Sequence, residues 1–252
     1  MPIWRSIPVA HLPRPFPLFG QQHMLLLLLM LIGGVLWLVV AQRCKERRSL
    51  RAFEWSAAAL IAFQYTVERV AYLILRPDYA LVELLPFQLC GLSILLSVWL
   101  LIKPGRLRFN VLYIWGFGGA SMGLLMPEVE YGFPHPLNLT FFLGHAYPLY
   151  VVAHLISVRH FRPRISLLPK VFAITMAVLG LMMIVNPILG TNYLFVSGKP
   201  MGGELLDFMG PWPVYIGWMI AFGLVVALVL YVPFLVPRKK PAELLDPESA
   251  GE

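Results

Sequence analysis

Charge is the scarcest commodity in this chain. Only 13% of its 252 residues are Asp, Glu, Lys or Arg, against 59% hydrophobic. Soluble domains carry about a quarter charged residues, so a water-facing globule is excluded. Cysteine is nearly absent as well, with Cys44 and Cys90 alone. Cys44 stands between Arg43 and Lys45, whereas Cys90 lies inside an apolar run. That excludes a disulfide framework, and with neither CxxC nor a Cys/His metal spacing the sequence points to no metal and no cofactor. No period repeats and no long linker divides the chain, so residues 1–252 read as one polytopic domain. The net charge of +7 does not point to nucleic acid, because the basic residues flank the apolar runs.

What is there in quantity is hydrocarbon, in long blocks. A helix needs about 20 apolar residues to cross the bilayer core. Seven runs qualify: Met24–Gln42, Trp55–Leu75, Leu84–Ile102, Phe109–Met126, Leu139–Val158, Leu168–Leu189 and Pro213–Val236. The first run follows Arg5 and Arg14 as a secretory signal would, but it is too long and has no A-x-A cleavage site, so it is kept as a span. The joints after runs one, three, five and seven hold fifteen basic residues and the alternate segments four. The positive-inside rule then predicts an all-α membrane protein, a seven-helix bundle in a cell membrane, with its N-terminus out and its C-terminus in.

Orientation fixes depth. At about 1.5 Å per residue, Cys90 and His145 each lie about 9 Å below the outer ends of their spans, and Glu68 and Arg69 about 10 Å below theirs. Ionisable groups at membrane depth face a bundle interior or water and mark candidate sites. Gln64, Glu68 and Tyr72 form a stripe on run two, with Tyr65 beside it. If Pro86 takes the first helical position, Cys90 falls in the second turn, where the helix dipole and burial act on the thiol in opposite senses. Bland alternatives stand beside each reading: a core thiol, a buried Glu68 or Arg69 ion pair, a satisfied core histidine. His154, half a helix turn away and near the inner face, cannot share a site with His145. The inner halves otherwise offer Asn110 and a few hydroxyls. The small residues from Gly116 to Gly123 read as a packing surface, and a phosphate cradle is disfavoured because no Lys follows them. Glu128 and Glu130 read as a solvated joint, and Trp212 and Tyr215 as interfacial aromatics.

Leu85-Pro86-Phe87-Gln88-Leu89-Cys90 resembles the Leu-Pro-x-His/Gln-Leu-Cys segment of the YwaF-like integral membrane proteins. Gly132-Phe133-Pro134, Phe141-Phe142-Leu143-Gly144-His145, Asn192-Tyr193-Leu194-Phe195 and Gly210-Pro211-Trp212-Pro213 resemble further elements of that family, and His23 stands where its early histidine is expected. The resemblance covers nearly the whole chain. It implies a multi-pass protein distantly similar to animal transmembrane proteins that move acyl chains between phospholipids, with Cys90 as the proposed nucleophile. Gln88 departs from the common His and Phe195 from the common Tyr.

The expected function is a lipid acyltransferase or transacylase of the outer leaflet acting on membrane lipids. In it Cys90 is the nucleophile, His145 the base and Glu68 the group that orients the imidazole. Gln88 or Asn192 would donate to the oxyanion, and Arg69, Tyr65, Tyr193 and His23 would contact substrate. The rival is a non-enzymatic transporter or lipid-binding bundle with Glu68, Arg69 and His145 lining a path. Neither reading fixes the oligomeric state.

Overall fold

The structure, a computed structural model, describes residues 16–76, 80–127, 129, 131–199 and 208–235. Arg5, Arg14, Glu128, Glu130, Arg238, Lys239 and Lys240 lie outside the described residues. The described chain is helical, with α1 (Gln21–Arg43), α2 (Arg47–Leu75), α3 (Leu89–Ile102), α4 (Arg106–Trp115), α5 (Ser121–Leu125), α6 (Pro136–Ser157), α7 (Leu168–Leu189) and α8 (Val214–Tyr231). Five helical stretches are long and apolar enough to cross a membrane: Gln21–Arg43, Arg47–Leu75, Pro136–Ser157, Ile165–Leu189 and Val214–Phe234. The 23 residues of α1 extend about 34 Å, more than the hydrocarbon core of about 30 Å.

The other two apolar runs take different forms. Run three is helical only from Leu89, so α3 has 14 residues and extends about 21 Å. Pro86 does not open it. Pro86 and Phe87 form a turn, Gln88 is extended at φ −71° and ψ 150°, and Cys90 therefore sits in the first turn. Run four is α4 and α5 joined by a π-helical turn, Gly116–Ala120. Such an inserted turn redirects the faces of a helix and often marks a functional position.

Helix α6 is the hub, in contact with α1, α2, α3, α4 and α5. Proline at its first position costs no hydrogen bond, and His135 Nδ1 accepts from the Leu137 N–H at 3.3 Å to cap it. Around α6 the core joins Ile61 of α2, Leu100 of α3, Leu112 of α4 and Val151 of α6. Helix α7 ends at Gly190, whose φ of 67° places it in the left-handed region that glycine adopts without strain. A second apolar cluster joins Met182 of α7, Tyr193 and Val196 of the following loop, and Tyr215 of α8. Tyr215 is fully buried and donates to the Phe195 carbonyl, and Trp212 Nε1 donates to the Val196 carbonyl at 2.9 Å. The two bonds tie the residues after α7 to the start of α8; Tyr215 is a core residue, a correction to the interfacial role expected of it, whereas Trp212 keeps an exposed ring.

Candidate functional site

The polar side chains fall into two clusters, one near the N-terminal end of α2 and one in its C-terminal half, called inner and outer after the expected orientation. The inner one is closed around its carboxylate, although the buried His154 Nδ1 has no partner. Glu54 is fully buried and accepts from Arg51 Nη1 at 2.9 Å, His154 Nε2 at 3.0 Å, and Arg159 Nε and Nη2 at 2.6 and 2.5 Å. Arg51 also donates to the Leu101 and Ile102 carbonyls at 3.2 and 2.8 Å, which ties the end of α3 into the same network. Every partner needed to hold a carboxylate in a low-dielectric interior is present. Asn110 is equally engaged: its Oδ1 accepts from the Arg164 N–H and the Tyr231 hydroxyl, and its Nδ2 donates to the Arg106 carbonyl. The sequence reading missed Glu54 because it began the second span at Trp55. A lone acid next to that boundary, on the α2 face of Glu68, was the available signal.

The outer cluster is open. Glu68 is buried, and among the described residues neither a hydrogen bond nor an ion pair within 4.0 Å reaches its carboxylate. Arg69, one residue on, places its guanidinium 4.4 Å above the Tyr65 ring while its buried Nε has no acceptor. The buried Tyr65 hydroxyl and Gln64 Oε1 are also without partners, although Gln64 Nε2 donates to the Thr140 carbonyl at 2.9 Å. Buried polar groups are nearly always bonded, so three such atoms within six residues of one helix, beside a carboxylate that has no partner, are exceptional. Gly144 brings the neighbouring helices to this place: a Cβ there would lie 3.4 Å from Ile94 Cδ1 and 3.8 Å from both Gln64 Nε2 and Glu68 Oε2.

His145 follows Gly144. Its Nδ1 lies 2.8 Å from the Phe141 carbonyl oxygen and its ring 4.1 Å from the Phe141 ring. A carbonyl only accepts, so Nδ1 carries the proton and Nε2 keeps a lone pair. The imidazole is thus held by its own helix, and among the described residues no hydrogen bond joins it to Glu68, the group expected to orient it. The Nε2 edge faces Gly123 of α5, where any side chain would overlap the ring. Cys90 is half-buried in the first turn of α3, with the N–H groups of Cys90 and Gly91 close to its sulfur. Glu68 acts electrostatically on both Cys90 and His145, and Arg69 on both Cys90 and Glu68. No hydrogen bond among the described residues joins the thiol to the imidazole.

Four other expected site residues have their polar atoms engaged elsewhere. His23 is fully buried; Nδ1 accepts from the Phe19 N–H at 2.9 Å and Nε2 donates to the Leu124 carbonyl at 2.8 Å. Gln88 Oε1 accepts from the Leu194 N–H at 3.0 Å, steadying a residue at φ 56°. Asn192 engages its amide within its own loop, donating one N–H to the Gly198 carbonyl at 2.7 Å and accepting from Ser197 and Gly198. Tyr193 is buried and donates to the Val82 carbonyl.

The glycines of the fourth run perform the packing role expected of them. Gly116 meets Pro148, Leu149 and Val152 of α6, and a Cβ at Gly119 would lie 2.9 Å from Leu89 Cδ2.

Neither a curated protein nor a solved structure matches the chain. The model of one family, the TMEM164 family, matches residues 18–231. The chain, a multi-pass helical membrane protein by its architecture, belongs to the TMEM164 family.

Proposed function

We propose that this protein is an acyltransferase or transacylase of membrane lipids, with Cys90 as nucleophile and His145 as base. The observation that carries the reading is the open outer cluster. A thiol in the first turn of α3, an imidazole with a free Nε2 lone pair, and a buried carboxylate and guanidinium lie within electrostatic range of one another. The resemblance at Leu85–Cys90 and Phe141–His145 to YwaF-like proteins, and through them to animal phospholipid acyltransferases, supports it.

In this reaction His145 Nε2 takes the thiol proton and Sγ attacks the ester carbonyl of a bound lipid. The ester C–O bond breaks, the proton passes from His145 to the departing alkoxide, and an acyl thioester and a lysolipid result. A second lipid alcohol, deprotonated by the same imidazole, attacks the thioester, and the thiol is restored by the proton held on Nε2. The N–H groups of Cys90 and Gly91, close to the sulfur, are the oxyanion donors in this reading. Arg69 and Glu68 are the polar contacts for the lipid head group. No cofactor enters these steps.

The same reading takes all seven runs as spans of a cell membrane, N-terminus out and C-terminus in. An outside-active reporter should be silent after Lys240 and active between residues 199 and 207. The lipid-path alternative has one observation in its favour, since Glu54 and Glu68 share a face of α2. Buried Ala57, Ala58 and Ile61 close that face between them.

The test is acyl transfer from a labelled phospholipid to a lysophospholipid by the purified protein in vesicles. Cys90→Ser and His145→Ala should each abolish most turnover while thermal unfolding in detergent stays unchanged. Undiminished transfer by Cys90→Ala would sink the acyltransferase reading and leave the lipid-binding bundle.

A further inference from the structure

An apolar cleft of about 390 Å³ opens between α7 and α8, outside the cluster just described. Helix α7 leans on α4 and α8 on the π turn, and the cleft is the space left between them. Its walls include Thr175 and Met176 of α7 and Met219 and Gly223 of α8, with Gly118 of the π turn behind them and Leu89 of α3 at its edge. The polar atoms in these walls are already used: Trp115 Nε1 donates to Thr175 Oγ1 at 2.9 Å, and that hydroxyl donates to the Val171 carbonyl at 2.9 Å. The walls are almost wholly apolar, and a space of this volume falls in the range of ligand pockets.

Two features decide the occupant. Both side walls belong to helices long and apolar enough to cross a membrane, so the medium at the mouth of the cleft is lipid hydrocarbon. At Leu89 the cleft lining reaches the first turn of α3, whose next residue is Cys90. A chain lying in the cleft therefore has one end against the helix turn that carries the thiol. Gly118 and Gly223 keep this passage open, since a Cβ at either would meet nothing within 4 Å.

We propose that the cleft between α7 and α8 holds the acyl chain of a bilayer phospholipid with its ester end at Leu89 and Cys90, and that Gly118 and Gly223 admit long chains. The proposal rests on the acyl-transfer reading only for what happens at the ester.

The test uses the full chain in phosphatidylcholine vesicles doped with a phosphatidylcholine that carries a diazirine near the end of one long acyl chain. After photolysis, Thr175, Met176 and Met219 should be labelled about tenfold more than Ile184 and Val229, which face outward on the same helices. Gly118→Leu and Gly223→Phe should each cut this labelling about tenfold and spare that by a short-chain probe, with Met219→Trp as a third way to fill the space. Equal labelling of cleft-facing and outward residues, or labelling unchanged in all folded filled variants, would overturn the proposal. Cys90→Ala should label as the wild type does. Cleft labelling without acyl transfer by the wild type would strike the acyltransferase reading alone; transfer without cleft labelling would strike the cleft alone.

Discussion

Glu54 and Glu68 stand fourteen residues apart on α2, about 21 Å along its axis and about 40° around it, so one helix face presents two buried carboxylates to the same bundle. At Glu54 three side chains converge, and the network ties α2, α6 and the end of α3 together. Around Glu68 no hydrogen bond or ion pair among the described residues reaches the carboxylate, and the neighbouring Arg69 Nε and Tyr65 hydroxyl have no hydrogen-bond partner. A buried carboxylate is expensive, and in the proposed reading a chain that supplies four bonds at one place and none at the other leaves the second free for a ligand. In that reading stability belongs to the inner cluster and chemistry to the outer one.

The sharpest way to break this contrast is Glu54→Gln. It leaves the Arg159 and Arg51 guanidiniums without their charge partner, and removing one member of a buried pair costs about 3–5 kcal/mol. Arg51 and Arg159 keep some exposure, so the lower end of that range is expected. Thermal unfolding in detergent should fall clearly; an unchanged midpoint would remove the inner cluster from the stability account.

Gly123→Ala comes next. Its Cβ would overlap His145, whose ring is held by the Phe141 carbonyl and by stacking, so the imidazole must leave its position. Overpacking of this kind costs about 1–3 kcal/mol. Thiol alkylation and acyl transfer should both respond, whereas Gly180→Ala, with nothing within 4 Å of its Cβ, should change neither.

A smaller loss is expected for Gln88→Leu, which removes the acceptor of the Leu194 N–H and costs about 1 kcal/mol. Limited proteolysis of the α7–α8 loop is the sensitive measure. Full retention of the loop's protection would show that Tyr193 and Trp212 suffice to hold it.

The smallest effect on stability belongs to Glu68→Gln. With no partner to abandon, the unfolding midpoint should hold or rise, while acyl transfer falls. A drop as large as that of Glu54→Gln would make the two clusters alike and the outer one structural.

Apolar blocks longer than a bilayer is thick leave little choice of structure, because backbone N–H and C=O groups in lipid must be satisfied within the helix that carries them. That is why the helical class and the placement of α1, α2, α6, α7 and α8 are legible from residue order alone. Hydropathy has no term for a turn at Pro86–Phe87 or for a π turn at Gly116–Ala120, so the start of α3 and the break after α4 were not. Nor does depth say who bonds whom. His23, Gln88, Asn192 and Tyr193 share the chemistry of site residues, and His154 was set aside for facing away from His145. Only the packing of α2 against α3 and α6 gives Glu54 its partners, leaves Glu68 without any, and turns the His145 ring onto Gly123, because a hydrogen bond needs two groups within about 3 Å and their separation along the chain, 100 residues for Glu54 and His154, says nothing about it.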